Sequence, residues 1–90
     1  MIISFADKYT AALYAGETPK RFPADVRRRM LQKLQILNAA TRLEDLRIPS
    51  GNRLESLLGN RLGYHSIRVN DQWRICFRWN GTDAQDVEIT

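Results

Sequence analysis

Ninety residues, 43% of them hydrophobic and 27% charged, suit a single globular domain spanning 1–90 and are too few for two. There is no apolar run of about eighteen residues and no basic-then-apolar start, which excludes a membrane span and a secretory signal and leaves the cytoplasm as the expected compartment. One cysteine (Cys76) and one histidine (His65) allow neither an internal disulfide nor a structural zinc site, so no cofactor or metal is expected. The net charge is +4 and the pI is near 9.7. Lys and Arg outnumber Asp and Glu in residues 1–50 and again in 51–79, whereas 80–90 holds only Asp83, Asp86 and Glu88. A basic body of this kind suits a polyanion, an acidic protein partner or simple solvation.

Ile2, Ile3 and Phe5 read as a short first strand. Asp7 is a suitable N-cap, and Tyr9, Ala12 and Leu13 then recur at helical spacing up to Gly16, a residue that often ends helices. Residues 16–20 form a turn. Pro23, with Asp25 behind it, opens a second helix. In it Val26, Met30, Leu34 and Leu37 fall at steps of four, four and three, one apolar stripe. Arg27, Arg28, Arg29 and Lys33 occupy the rest of its surface, and it should run to about Ala40. Residues 47–52 are loop by composition. Residues 53–58 fit neither the helical nor the strand period, and Gly59 to Gly63 is a further turn. From Tyr64 the period changes to two. Ala84 to Ile89 reads as a last strand with Val87 and Ile89 inward. Strand, two helices and an antiparallel meander make an α+β domain, with the amino-terminal strand and helices packed on a twisted antiparallel sheet.

The segment from Tyr64 to Trp79 carries the sharpest information. Trp73, Ile75, Phe77 and Trp79 alternate with Arg74, Cys76 and Arg78, and His65, Ile67 and Val69 alternate with Tyr64, Ser66 and Arg68. Alternate residues of a strand face opposite sides, and directly opposed residues of an antiparallel pair share a side. A two-residue loop would set Ile67 against Arg74 and mix the faces. The loop Asn70-Asp71-Gln72 keeps them apart, setting Ile67 with Ile75 and His65 with Phe77 on the core side. The other side then holds Arg68 with Arg74, Ser66 with Cys76 and Tyr64 with Arg78.

An arginine opposite an arginine is unfavourable for folding by a few tenths of a kcal/mol. A bound anion explains such a pair, since the guanidinium fork matches phosphate. So does a neutralising acid from another strand, for which Glu88 is the evident candidate. His65 lands among core residues and reads as packed and hydrogen-bonded. Cys76 has no base near it in sequence. Cutting RNA by attack of the 2′-hydroxyl requires a proton acceptor, charge stabilisation at phosphorus and a proton donor to the leaving oxygen. Arginine supplies only the second of these, because it hardly deprotonates. The residues alone therefore support a phosphate clamp and not a complete active site.

The run Gly51-Asn52-Arg53-Leu54-Glu55, then Gly59-Asn60-Arg61, then His65 to Phe77 (HSIRVNDQWRICF) resembles the HigB-type toxins of the RelE/ParE toxin–antitoxin superfamily. The resemblance extends over essentially the whole chain and implies a RelE-like fold. It also implies a ribosome-dependent endoribonuclease that cleaves mRNA in the decoding site of the small ribosomal subunit. Its implied partner is a HigA-type helix-turn-helix antitoxin, through which alone the chain would meet operator DNA. The family's arginine in the Trp-Arg-Ile strand matches Arg74, which the register already singles out; Arg68, opposite it by register, is the second catalytic candidate. Tyr64 and Arg78, beside that pair by register, and Arg53 and Arg61 are the candidate RNA- and phosphate-binding neighbours. A lysine that some relatives carry falls at Leu58, where Arg53, Arg61 or Arg68 would compensate. The family's Asp-Tyr-His run after the last strand has no counterpart before Thr90, so the chain as written is expected to bind its partners and cut poorly. Two alternatives stand beside this reading. One is a ParE-like inhibitor of a protein such as DNA gyrase, and the other is a non-catalytic antitoxin-binding module.

Overall fold

The computed structural model describes residues 1–90. Helix α1 (Lys8–Tyr14) begins at Asp7, whose carboxylate accepts the backbone N–H groups of Tyr9 at 3.1 Å and Thr10 at 3.0 Å. These are donors that a helix start otherwise leaves unpaired. The chain leaves α1 through Gly16 at φ 96°, a conformation that costs glycine little. Helix α2 (Ala24–Ala39) follows Pro23. Its predicted stripe is observed, since Met30, Leu34 and Leu37 are fully buried and Val26 packs against them at the margin.

Residues 41–63 carry three short 3-10 turns, Leu43–Arg47, Ser50–Asn52 and Gly59–Arg61. A side chain organises this irregular stretch. Asn52 is fully buried, donates its amide to the carbonyls of Leu46 (3.1 Å) and Ile48 (3.4 Å), and accepts a hydrogen bond from Lys33 Nζ of α2. Such a buried amide is tolerated only because its polar atoms are satisfied.

The sheet comprises β1 (Glu55–Ser56), β2 (Tyr64–Arg68), β3 (Arg74–Trp79) and β4 (Ala84–Ile89), antiparallel in that order. The ambiguous residues 53–58 thus resolve into a two-residue strand. The expected first strand takes the form of two isolated parallel bridges, Ile2 to Ala84 and Phe5 to Val87, along the outer edge of β4. The pairing of β3 with β4 is irregular between Cys76 and Arg78, where Asp86 adopts φ 51°. The bulge inserts one residue. It explains why the buried residues of β4 are Ala84, Val87 and Ile89, spaced three and then two.

Both helices cover one face of the sheet. Ile67, Ile75, Phe77 and Val87 meet Met30, Leu34 and Leu37 there, all fully buried, at about 1.5–3 kcal/mol of transfer free energy for each large side chain. Thr10 ties the layers together: its hydroxyl accepts the N–H of Ile89 at 3.1 Å in a buried setting. No helix is long and apolar enough to cross a membrane. Neither α-helix packs on the opposite face of the sheet, where Tyr64, Arg68 and Arg74 are half-buried, Arg78 is exposed, and Ser66 and Cys76 are buried.

Candidate nucleic-acid interface

The face away from the α-helices carries the row that the alternation predicts. Register pairs Arg68 with Arg74, Ser66 with Cys76, Tyr64 with Arg78, Ile67 with Ile75 and His65 with Phe77. The three-residue loop is closed by Val69 N–H donating to the Trp73 carbonyl at 2.9 Å. Asn70 Oδ1 accepts from the backbone of Gln72 and Trp73, each at 2.8 Å, the local bonding that suits asparagine to turns.

Arg74 is the most constrained cation of the row. Its Nε donates to Ser66 Oγ at 2.9 Å and one Nη donates to the Arg53 carbonyl at 3.0 Å. Glu55 stands 3.8 Å away. Ser66 is fully buried, so the bond to it anchors the guanidinium from beneath while 30% of the side chain stays exposed. Arg53 approaches Arg74 through its backbone, and its own side chain is exposed.

Of the two explanations for the opposed arginines, neutralising acids are present, but Glu88 is not among them. Arg68 turns to Asp71 and Arg74 turns to Glu55, so the two guanidiniums part toward separate carboxylates. Long side chains on opposed positions relieve their repulsion in this way. Glu88 is not the neutralising acid for that pair. It lies opposite Cys76 in β4 and accepts a hydrogen bond from Arg61 at 2.9 Å. That bond is the main cause that raises the Arg61 pKa, against the opposing effect of burial.

Arg61, Tyr64 and Arg78 form a second group. The Arg61 and Arg78 guanidiniums lie 5.0 Å and 5.9 Å from the centroid of the Tyr64 ring, within the range of cation–π attraction. Arg78 also meets Asp86 at 3.7 Å. Tyr64 and Arg68 are four strand positions apart, so the two groups are separated by about 13 Å. Cys76 is buried between them. Burial pushes its thiol pKa up, only partly countered by Arg61, so the sulfur is a protonated filler and not a nucleophile.

His65 faces the other way. Its Nδ1 meets Ser56 Oγ at 3.1 Å, its ring centroid is 5.9 Å from that of Phe77, and burial lowers its pKa. It is a packed residue on the core side, as its register position predicts. Lys33 likewise has a lowered pKa, first from burial and then from Arg29 and Arg68. No three His, Cys, Asp or Glu side chains gather where one ion could be held.

The alternation alone did not reveal the partners of these cations. Asp71 is readable as a loop acid three residues after Arg68, but Glu55 reaches Arg74 only through a strand of two residues with no periodicity of its own. The row is thus a set of partly exposed guanidiniums with partly or fully exposed counter-ions, the kind of pairing worth about 0–1 kcal/mol and open to exchange for phosphate. It offers charge stabilisation at a phosphate, and its carboxylates are engaged as counter-ions.

Comparison with known proteins agrees with this geometry. Residues 3–89 match the family model described as RelE-like toxin of type II toxin-antitoxin system HigB. The chain is 44% identical over 80 residues to "Toxin HigB-1" of Vibrio cholerae serotype O1, a match covering 88% of this chain and 84% of that protein. It is 34% identical over 84 residues to "Endoribonuclease HigB" of Proteus vulgaris, covering 93% of this chain and 90% of that one. With a RelE-like sheet, an arginine row on its open face and a family match over nearly its whole length, the chain belongs to the HigB-type toxins of type II toxin–antitoxin systems.

Proposed function

We propose that this toxin arrests translation by cutting mRNA on the ribosome, with Arg74 holding the phosphate at which the strand is cut. The observation that carries the reading is the fixation of a partly exposed Arg74 by Ser66 and the Arg53 carbonyl. A guanidinium whose direction is set beforehand stabilises developing phosphate charge without reorganising during reaction. Endonuclease activity on RNA is what the name of the Proteus vulgaris relative states for that protein.

Arg68 and Arg53 flank Arg74 and would bind the adjoining backbone. Arg61, Tyr64 and Arg78, about 13 Å along the strand, would take a neighbouring nucleotide, with the Tyr64 ring as a stacking surface. In the reaction the 2′-hydroxyl attacks phosphorus, a 2′,3′-cyclic phosphate forms and the 5′-oxygen leaves with a proton. Arg74 neutralises the charge on the phosphorane. Proton acceptor and donor are assigned to the family's Asp-Tyr-His run. Thr90 exchanges two backbone hydrogen bonds with Arg74, at 2.8 and 2.9 Å, which fix the backbone of Arg74 at the end of β4.

The family places the chain in a pair with an antitoxin. In this reading the antitoxin is of the helix-turn-helix HigA type and carries any contact with operator DNA. The deciding experiment is primer extension on translated mRNA with a form bearing Asp-Tyr-His after Thr90. Cuts that require the ribosome support the reading. Intact message with DNA supercoiling inhibited instead would replace it with the gyrase-directed one.

A further inference from the structure

Arg61, Arg68, Arg74 and Arg78 each have an acid beside them, and three of those acids stand at the rim of the row. Asp71 belongs to the loop between β2 and β3, Glu55 to the edge strand β1, and Asp86 to the bulge of β4. Glu88 is placed differently. It lies opposite Cys76, which lies opposite Ser66, so its side chain shares their face, on the cross-strand line between the pair Arg68 and Arg74 and the pair Tyr64 and Arg78. Val87 and Ile89 on either side of it are buried in the core. The Glu88 side chain is 31% exposed, against 43% to 94% for the three rim acids. Its Oε1 accepts the Arg61 hydrogen bond at 2.9 Å, and no protein donor reaches Oε2. Burial raises the Cys76 pKa most, and Arg61 lowers it, Glu88 raises it and Arg74 lowers it in turn, so these three charges gather around one sulfur.

We propose that Glu88 is the residue through which this surface tells RNA from DNA, its free carboxylate oxygen accepting a hydrogen bond from a ribose 2′-hydroxyl of a strand laid along the row. The proposal rests on the mRNA reading for its substrate class, and on the position of Glu88 for its chemistry. A carboxylate at the centre of a cationic row repels phosphate, so a strand crossing the row seats its phosphates on either side, at Arg74 and at the group of Arg61 and Arg78. What a nucleic acid places between its phosphates is sugar. A carboxylate only accepts hydrogen bonds, and the 2′-hydroxyl is the donor that ribose has and deoxyribose lacks. Deoxyribose leaves Oε2 without a donor while the repulsion of phosphate remains. The same acid is therefore tolerated by RNA and unfavourable for DNA, discrimination by a repulsive element that one partner alone can satisfy.

The probes are a short oligouridylate and the oligodeoxyuridylate of equal length, which differ only at the 2′ position. Each is fluorescein-labelled and followed by anisotropy against the full chain at fixed salt. The parent should bind the ribose form about five- to tenfold more tightly. Glu88→Met, which keeps the length of the side chain and offers no oxygen, should bring that ratio close to one, chiefly by tightening the deoxy form. Glu88→Ala is a second variant with the same expectation, and Glu88→Gln, which keeps an acceptor, should retain part of the preference. Asp71→Asn removes a rim acid and should tighten both forms alike, leaving the ratio as in the parent. Melting curves establish that each variant is folded. Equal affinity of the parent for both oligomers, an unchanged ratio in a folded Glu88→Met or Glu88→Ala chain, or a ratio shifted as far by Asp71→Asn would each overturn the proposal. Failure of the parent to bind either oligomer would overturn the phosphate row and the mRNA reading with it, whereas binding without preference overturns this inference alone.

Discussion

Ser66→Ala removes a single oxygen and tests whether Arg74 is set in place before RNA arrives. Ser66 is fully buried in β2, and its hydroxyl accepts from Arg74 Nε at 2.9 Å. A hydrogen bond to a charged group contributes about 1.5–3 kcal/mol when enclosed. Here 30% of the Arg74 side chain is exposed, so water recovers part of the loss and about 1 kcal/mol is a reasonable expectation. For a domain of this size that corresponds to a fall in Tm of about 4–8 °C. The bond to the Arg53 carbonyl and the Glu55 carboxylate remain, so the guanidinium should swing toward Glu55 and lose its alignment with a bound phosphate. Anisotropy with a labelled single-stranded oligoribonucleotide at fixed salt should show a three- to tenfold weaker Kd, equivalent to about 0.6–1.4 kcal/mol. A lowered Tm with unchanged RNA affinity would refute the positioning role of Ser66 and leave it a packing residue.

Glu55→Gln removes the carboxylate that competes with phosphate for Arg74; RNA affinity measured in the same assay should rise about two- to fivefold, as expected for losing a partly exposed ion pair. Thr10→Val keeps shape but strips the buried acceptor of Ile89 N–H, and chemical denaturation should show a loss of about 1–3 kcal/mol. His65 has a pKa lowered by burial, so the unfolded chain binds the more protons in the window below its ordinary value of about 6.5. Stability from this residue is complete above that value and declines as pH falls toward the depressed pKa. The Tm should therefore drop between neutral pH and about pH 5, and His65→Phe should flatten that part of the profile.

The hairpin was legible because two independent alternations had to agree, and only a three-residue loop lets them agree. Their agreement places Arg68, Arg74, Tyr64 and Arg78 on one face whatever the rest of the fold. The bulge at Asp86 was not legible, since the segment from Ala84 to Ile89 reads equally well as a regular strand, and the inserted residue is chosen by pairing with β3. Residues 41–63 also resisted reading, for their shape depends on one buried amide, Asn52, and its bond from Lys33. Local propensity does not encode a contact nineteen residues away. The counter-ions followed the same division. Asp71 sits in the loop of Arg68, whereas Glu55 and Glu88 depend on strand pairings that periodicity leaves open. The amino-terminal segment behaved in between: Ile2 and Phe5 do run beside β4, but Pro-free apolar alternation over so few residues yields bridges and not a ladder.

In the proposed function Arg74 acts on the phosphate of mRNA held on the ribosome. Its most direct test is primer extension on translated message with the Asp-Tyr-His-bearing form and its Arg74→Ala variant, both checked for equal melting temperature. The parent should make ribosome-dependent cuts and the variant should cut at least about a hundredfold more slowly, the order expected for removing a transition-state charge stabiliser. Cutting at the parent rate by a folded Arg74→Ala chain would contradict it.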